Sequence, residues 1–196
     1  MVIRPDNVDK KGLYQLLTSC VVPRPIALVM SKNEAGILNL APFSFFNVVT
    51  PKPARISLVI GKRDGEYKDT ARNIVKGKQF VVHVVTEAIL EDAHVTSVSL
   101  PPEISEVDQT SFVTEFNEDF GVAHIKNSKV YFECELDQVV HFEDSDMVIG
   151  LIRKIVVDDE IMRDGVVDVR KLAPVARLSK DDYALLGKGI TLKRPE

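Results

Sequence analysis

The side chains best suited to chemistry in this chain form a basic cluster beside the start of a predicted helix. Lys62, Arg63 and Lys68 lie within seven positions, and Thr70 follows them. A helix that begins at Asp69 or Thr70 presents free amides and the positive end of its dipole, which suit a phosphate group. Lys68 would add charge, and Thr70 a hydroxyl donor. A solvated charged loop fits the same residues, so the cluster alone leaves both interpretations open.

A second candidate is the aromatic segment 39–47, which reads NLAPFSFFN. It combines apolar side chains with small polar groups. A planar heteroaromatic ligand needs both, because its ring requires apolar surface and its edge heteroatoms require amides or a hydroxyl. Pro42 and Pro51 stiffen the segment. The alternative is an ordinary core strand, and Phe45 and Phe46 fit that interpretation equally well.

The motifs of the common nucleotide and catalytic sites are absent from the sequence. It contains neither GxGxxG nor GxxxxGKS/T, and neither GxSxG nor HExxH. The four histidines are scattered, and His83 lies in the strand-like run VVHVV. We expect His83 to be a core histidine with one hydrogen-bond partner. The sequence therefore predicts no catalytic triad and no metal site.

Length and composition favour a single soluble domain over residues 1–196. A net charge of −4 makes general binding to nucleic acid or to an anionic membrane unfavourable. No apolar run reaches the roughly 18 residues of a membrane span, and the first residues do not resemble a signal peptide. Cys20 and Cys134 are expected to be buried, reduced thiols of a cytoplasmic protein.

Short apolar segments predict the strands that position these side chains. The strand segments are 26–30, 37–40, 55–60, 79–85, 129–140 and 147–157. Helices are expected from residue 69 or 70 to 75, and at 86–94, whereas residues 97–119 form an irregular surface excursion. About seven strands without regular intervening helices favour a mostly β antiparallel barrel over a doubly wound parallel sheet.

The order of several motifs resembles the flavin reductase-like, FMN-binding split-barrel family, which includes flavoredoxins and NAD(P)H:flavin oxidoreductases. The motifs are PRPIALV at 23–29, NLAPFSFFN at 39–47, KDTARNI at 68–74, FECEL at 132–136, VIGLIRKIVVDD at 148–159, PVARLSKDDY at 174–183 and RP at 194–195. The resemblance covers nearly the whole chain. It implies a six-stranded antiparallel split β-barrel with a few short helices, a homodimer, and FMN held non-covalently near the dimer interface.

The resemblance also implies the residues that surround FMN. Those beside the flavin are Arg24, Pro25 and Ile26. Those lining the isoalloxazine are Asn39, Leu40, Ala41, Pro42, Phe43 and Ser44. Those at the ribityl phosphate are Lys68, Asp69 and Thr70, with Asn73 in support. Arg177 and Tyr183 would close the site from the C-terminal segment. At His83 the chain departs from the family pattern, since many relatives have asparagine in this strand.

The function that the resemblance implies is electron transfer from NADH or NADPH through FMN to a second acceptor. In such proteins the flavin performs the redox chemistry, while the protein binds and orients it. The alternative is an FMN electron carrier similar to flavoredoxin, reduced by a partner protein and lacking a nicotinamide site of its own. A third interpretation is a binding or storage protein whose flavin never turns over.

Overall fold

The computed structural model describes residues 1–195, and most of its regular structure is β. The strands are β1 (Arg24–Pro25), β2 (Ala27–Lys32), β3 (Leu38–Phe43), β4 (Phe46–Pro51), β5 (Ala54–Gly61), β6 (Gln79–Val84), β7 (Thr114–Glu115), β8 (His124–Ile125), β9 (Val130–His141), β10 (Ser145–Val157), β11 (Met162–Arg163), β12 (Val166–Val167), β13 (Ala176–Arg177) and β14 (Tyr183–Ala184). The prediction of a mostly β, antiparallel protein is thus confirmed.

Seven of these strands form one antiparallel sheet in the order β3-β2-β6-β9-β10-β5-β4. The six strands implied by the family resemblance are therefore too few. The additional strand is β4, which begins at the end of the aromatic segment 39–47. Its first residue, Phe46, pairs with Leu58 of β5, so this segment ends in an edge strand. A separate three-stranded sheet joins β1 to the C-terminal β13–β14 hairpin.

The helices are few and short. They are α1 (Lys10–Cys20), α2 (Asp69–Gly77), α3 (Leu90–Val95) and α4 (Val169–Leu172), with 3-10 turns at Pro5–Asn7, Glu87–Ile89, Glu106–Gln109 and Asp159–Ile161. Helix α2 coincides with the predicted helix, and Lys78 ends it in the left-handed conformation with a φ of 64°. None of the helices within residues 1–195 is long and apolar enough to cross a membrane.

Strand β2 contains most of the continuous apolar run at residues 26–30. Ala27 and Val29 face one core cluster, around Phe80 and Val148, whereas alternate residues of the strand face another. Val107 and Phe112 of the irregular excursion, with Phe120, Val122 and Ile125 beyond it, cover that second face. Part of the excursion is therefore a packed layer over the sheet, and residues 27–30 of β2 are all apolar because both faces of the strand are buried there.

His83 joins the sheet to this covering layer. Its Nδ1 donates to the carbonyl oxygen of Leu28 at 3.1 Å, and its Nε2 accepts from the amide of Ile125 at 2.9 Å. Complete burial lowers the pKa of His83 to about 3, so the ring is neutral. His83 is a structural core residue, as the sequence indicated, although it has two partners and not one.

The two cysteines differ in exposure. Cys134 is buried in the core, where burial raises the pKa of its thiol. Cys20 is exposed, so the expectation of two buried thiols is wrong for this residue. Cys20 is the last residue of α1, a helix in which Thr18 is the buried residue. The two thiols do not form a disulfide.

Candidate functional site

A groove runs past strand β3, between the start of α2 and the β13–β14 hairpin. Two cavities of about 510 and 270 Å³ form it, and Pro42, Phe43 and Ser97 line both of them. We call the larger cavity, beside Lys68, the α2 end, and the smaller cavity, beside Tyr183, the hairpin end. Together they have the size of a small-molecule site, which is about 300–1,000 Å³.

The α2 end lies at an uncapped helix N-terminus. Lys68 is the N-cap residue, and no side chain caps the amides of the first turn. Helix α1 differs, because the Asp9 carboxylate accepts from the Gly12 amide at 3.0 Å. Thr70 is buried, and its hydroxyl oxygen accepts from Asn39 Nδ2 at 2.9 Å. The hydroxyl proton is then free to point elsewhere. Free amides, an exposed ammonium and a hydroxyl donor make this a site for an anion.

Two arginines contribute further charge to the α2 end. The Arg63 guanidinium contacts the Ser99 hydroxyl, which links the loop before α2 to the segment after α3. Arg72 pairs with the Asp69 carboxylate at 2.9 Å. Asp69 was expected to meet a phosphate, but its carboxylate is occupied by this pair. Only its backbone amide, in the first turn of α2, is suited to an anion.

Lys62, the first member of the predicted basic cluster, points away from the groove. Its ammonium donates to the Phe142 carbonyl oxygen at 2.7 Å and lies 3.7 Å from an oxygen of the Asp146 carboxylate. The same carboxylate oxygen is 2.7 Å from His141 Nδ1. Lys62 therefore holds the turn between β9 and β10 against the loop that follows β5. The basic cluster at the groove contains Arg63 and Lys68.

The two predicted asparagines have different positions. Asn39 lines the α2 end and fixes Thr70 through the hydrogen bond described above. Asn73 is buried, and its Nδ2 donates to the Ser31 hydroxyl at 3.3 Å. It lines a neighbouring cavity of about 400 Å³ and not the groove. The side chain of Asn73 attaches α2 to β2, so any support that it gives to a phosphate is indirect, through the position of α2.

The hairpin end is apolar over most of its wall. Ile26, Pro42, Phe43, Val85 and Ala93 line it, and Ile26, Val85 and Ala93 belong to a buried core cluster. This wall is consequently backed by the core and offers a flat ring a preformed apolar surface. Ala41, another predicted residue, lines the α2 end beside Pro42.

Polar groups at the hairpin end come from distant parts of the chain. His94 Nδ1 lies 3.0 Å from the Tyr183 hydroxyl, and the two rings are perpendicular. The Arg177 guanidinium lies 4.5 Å from the centre of the Tyr183 ring, within cation–π range. Ser44 also lines this cavity. The predicted C-terminal residues Arg177 and Tyr183 therefore reach the same groove as Lys68.

Four predicted residues do not line either cavity of the groove, and one of them is Asn73, described above. Leu40 is fully buried in the core, and only its amide points toward the site, where it donates to the Glu106 carboxylate at 3.1 Å. Pro25 is exposed on β1. Arg24 is 7% exposed and lies behind Ser44, to whose hydroxyl it donates at 3.3 Å. Arg24 and Leu40 therefore support the groove from beneath.

Other residues at the groove were not predicted from the sequence. Tyr14 and His94 line the hairpin end, while Ser99 and Glu106 line the α2 end. Burial raises the pKa of the Glu106 carboxyl. Ser99 and Glu106 belong to the irregular excursion, whose length was itself a sign of function. Tyr14 and His94 gave no local signal, since they reach the groove only through the fold.

The residues present fit a ligand with a phosphate at one end and a flat ring at the other. The anion-binding features are concentrated at the α2 end, and the apolar surface at the hairpin end. Within residues 1–195, no group of three or more His, Cys, Asp or Glu side chains could hold a metal ion. The arrangement can bind and orient a phosphorylated heteroaromatic molecule.

Comparison with known proteins places the chain in a family. The model of the flavin reductase like domain matches residues 18–173. The uncharacterized protein BH2278 of Halalkalibacterium halodurans is 39% identical over 100% of this chain and 97% of its own length. Nitrilotriacetate monooxygenase component B from Bacillus cereus has a TM-score of 0.96 and 32% identity, with 98% of each chain covered.

A further solved structure is similar over the whole chain. The 2-nitrobenzoate 2-nitroreductase NbaA of Pseudomonas fluorescens has a TM-score of 0.91 and 29% identity, over 100% of this chain and 96% of that one. The family model covers strand β3 and the α2 end of the groove, whereas the β13–β14 hairpin lies beyond its last matched residue. The resemblance noted in the sequence is confirmed. This chain belongs to the flavin reductase-like, split-barrel family.

Proposed function

We propose that this protein binds FMN in the groove and moves electrons from NADH or NADPH through the flavin to a second acceptor. The observation that carries this proposal is the continuity of the two cavities. An uncapped helix start beside Lys68 lies at one end and an apolar wall at the other, with Pro42 and Phe43 shared between them. The names of two relatives, a monooxygenase component and a nitroreductase, support a redox role.

At the α2 end, the chain would hold the phosphate by several weak contacts that act together. The first-turn amides of α2 and the Lys68 ammonium supply positive charge, and the Thr70 hydroxyl supplies a further donor. Arg63 lies close enough to line the same cavity and is oriented by Ser99. These contacts would fix the cofactor along the groove.

At the hairpin end, the chain would bury the ring and keep water away from it. Pro42, Phe43 and Val85 supply the apolar surface, while the Ser44 hydroxyl is a hydrogen-bond donor for a ring-edge heteroatom. Bound flavin supplies the electron-transfer chemistry, so the protein needs no acid, base or nucleophile for it. Its contribution is binding, orientation and the electrostatic environment.

We propose FMN and not FAD because of the charges beyond the α2 end. The Asp69 and Glu106 carboxyl groups stand between the α2 end and the neighbouring cavity of about 400 Å³, and both line each of these spaces. Arg72 also lines both spaces and pairs with Asp69, so Glu106 is the acidic group that a second phosphate in that direction would approach. Competition of FMN and FAD for the flavin-free protein tests this choice, and we expect FMN to bind more tightly.

We also propose that the protein is a homodimer. Edge strand β4 exposes Val48 and Val49, and Leu17 of α1 and Val21 directly after it are also exposed. Tyr14 of α1 lies 6.3 Å from the Phe45 ring next to β4, which brings the two exposed elements together. An unpaired apolar edge strand of this kind is normally covered. Light scattering should give twice the chain mass, and a monomer that binds FMN would contradict this placement.

The redox role is tested by anaerobic addition of NADPH, and separately of NADH, to the protein loaded with FMN. We expect the visible flavin absorption to bleach with at least one of the two nucleotides. The control is free FMN at the same concentration under the same conditions. Loaded protein that stays oxidised with both nucleotides would contradict the NAD(P)H-dependent function.

An electron carrier without a nicotinamide site is the second candidate. The observation that favours it is the cover over the hairpin end, where Tyr183 and Arg177 close the smaller cavity of about 270 Å³. This cover would restrict access of a nicotinamide to the ring. Ready reduction by a low-potential electron-transfer protein, without any reduction by NADH or NADPH, would identify the carrier.

A further inference from the structure

Arg24 is a buried cation without a carboxylate partner. Its Nη1 donates to the carbonyl oxygens of Thr18 and Val21 at 2.5 and 2.6 Å, and its Nη2 donates to that of Leu178 at 2.7 Å. Its Nε donates to the Ser44 hydroxyl. All four acceptors are neutral, and no Asp or Glu side chain within residues 1–195 forms an ion pair with it. Such a charge is costly to bury unless a negative group lies near it.

The four contacts of Arg24 connect three distant parts of the chain. Thr18 and Val21 lie at the end of α1, Leu178 lies in the β13–β14 hairpin, and Ser44 follows β3. Arg24 thereby fixes the position of the hairpin over the groove. It also acts on Ser44 directly, since the hydroxyl oxygen is used as an acceptor and the hydroxyl proton remains available to the groove.

The second charge at the hairpin end has the same sign. Arg177 lines this cavity. Burial lowers the pKa of Arg24, Tyr14 opposes this shift, and the charge of Arg177 adds to it. An arginine nevertheless stays protonated. The only carboxylate among the described residues that line the hairpin end belongs to Asp181, which is 99% exposed and 3.8 Å from Arg177. An exposed pair of this kind compensates little of the charge. The hairpin end therefore has an excess of positive charge.

We propose that Arg24 is a positioning residue that makes Ser44 a charge-assisted hydrogen-bond donor, so that the hairpin end binds reduced flavin more tightly than oxidised flavin. The proposal rests on the proposed function, because it requires the flavin ring at this end. Reduced flavin carries an additional negative charge near neutral pH, and that charge would be the partner that Arg24 lacks. Hydrogen bonds backed by a charged group are about twice as strong as neutral ones.

The test is the midpoint potential of bound FMN, measured by spectroelectrochemistry in four variants. Tighter binding of the reduced form raises the midpoint potential. Each tenfold change in the ratio of the dissociation constant of oxidised FMN to that of reduced FMN shifts the potential by about 30 mV for a two-electron couple. We expect Arg24→Gln to lower this ratio by about tenfold and Ser44→Ala by about threefold. Arg24→Lys, which keeps the charge, should retain most of the wild-type potential.

The matched control is Arg153→Gln, which removes the same charge from an exposed pair with Glu135 on the outer face of the barrel. It should leave the potential at the wild-type value. Dissociation constants for oxidised FMN are measured in parallel, because they report the proposed function independently. Wild-type protein that does not bind FMN would overturn the proposed function and this inference together.

Wild-type binding with unchanged potentials in Arg24→Gln and Ser44→Ala would overturn the inference alone. Since loss of Arg24 leaves several buried carbonyl groups unpaired, Arg24→Gln could fail to fold. Ser44→Ala then decides the question, as Ser44 is only half-buried and its removal leaves the contacts of Arg24 to Thr18, Val21 and Leu178 in place. An equal potential in Ser44→Ala and wild type would contradict the role of the hydroxyl.

Discussion

The two ends of the groove are built in different ways. The α2 end comes mainly from one continuous segment, in which Arg63, Lys68 and Thr70 follow one another around the start of a helix. The hairpin end is assembled from α1, β3, α3 and the C-terminal hairpin, which are far apart in the sequence. A local motif is therefore sufficient to form one end, whereas the other end exists only in the folded chain.

The two ends of the groove also differ in the kinds of interaction that they offer a ligand. The α2 end uses exposed charges and helix amides, which act on a phosphate. The hairpin end has packed apolar surface, with the buried guanidinium of Arg24 behind it, and under the proposed function these hold the ring. Riboflavin, which lacks the phosphate, distinguishes the two. Substitutions at the α2 end should lower the affinity for FMN alone, and substitutions at the hairpin end should lower the affinity for both flavins.

The largest effect is expected on the free energy of unfolding and involves His83, which attaches the covering layer to the sheet behind the hairpin end. Its pKa is about 3 in the folded state and near 6.5 when unfolded. Below about pH 6.5 the unfolded chain therefore binds the additional proton, and stability falls as the pH falls by up to about 1.4 kcal/mol per unit. Between about pH 6.5 and 4.5 the loss from His83 should be about 2–3 kcal/mol.

Replacement of His83 by asparagine removes this titration. Urea unfolding of wild type and His83→Asn at several pH values should show a shallower decline for the variant, whatever its stability at neutral pH. Burial also lowers the pKa of His124, and this residue is unchanged in both proteins, so the difference in slope reports His83. Parallel pH profiles for the two proteins would contradict a neutral, buried His83.

The next effect is at the α2 end, where Lys68→Ala removes an exposed charge beside the uncapped helix start. A charge-assisted contact of about 1.5–3 kcal/mol predicts a loss of FMN affinity of roughly ten- to a hundredfold, with riboflavin affinity unchanged. Lys76→Ala is the matched control, because it removes the same charge from the other end of the same helix. Equal losses of affinity for both flavins would contradict a contact between Lys68 and the phosphate.

At the hairpin end, Tyr183→Ala removes the ring that His94 and Arg177 contact. An aromatic contact of about 0.5–1.5 kcal/mol predicts a loss of roughly two- to tenfold for FMN and for riboflavin alike. Tyr183→Phe keeps the ring and should keep most of the affinity. A loss confined to FMN, measured by the same titrations, would show that this end does not hold the ring.

The smallest effect is expected for Ser99→Ala, which removes the partner of Arg63 at the α2 end. The hydrogen bond is exposed, so about 0.5 kcal/mol and a roughly twofold loss of FMN affinity are expected. Riboflavin affinity should not change. A large loss for both flavins would mean that Ser99 holds the fold of the groove and does not merely orient Arg63.

The sequence predicted most of the α2 end because helix-start chemistry is local. Lys68 and Thr70 were identified from residue type and spacing, Asp69 was added through the family resemblance, and the helix begins where expected. Lys62 and Arg63 show the limit of this reasoning. They are adjacent and of similar charge, yet Lys62 points to the β9–β10 turn, a contact that depends on strand pairing 80 residues away.

At the hairpin end, Pro42, Phe43 and Ser44 were predicted from the composition of the aromatic segment, whereas Arg177 and Tyr183 were predicted only through the family resemblance. The residues that support this end were not separated from those that line it. The alternation of a strand could have separated them at Leu40, because Asn39 and Ala41 must face the side opposite to it. Nothing local could have identified Arg24 as buried without a counter-charge, since that depends on α1, β3 and the hairpin meeting around it.

The most direct test of the groove as a flavin site is titration of the flavin-free protein with FMN and with riboflavin. The readout is the quenching of flavin fluorescence. We predict saturation at about one FMN per chain, with riboflavin bound at least about tenfold more weakly because it lacks the phosphate. Quenching that does not saturate with either flavin would contradict the central claim that this groove binds FMN.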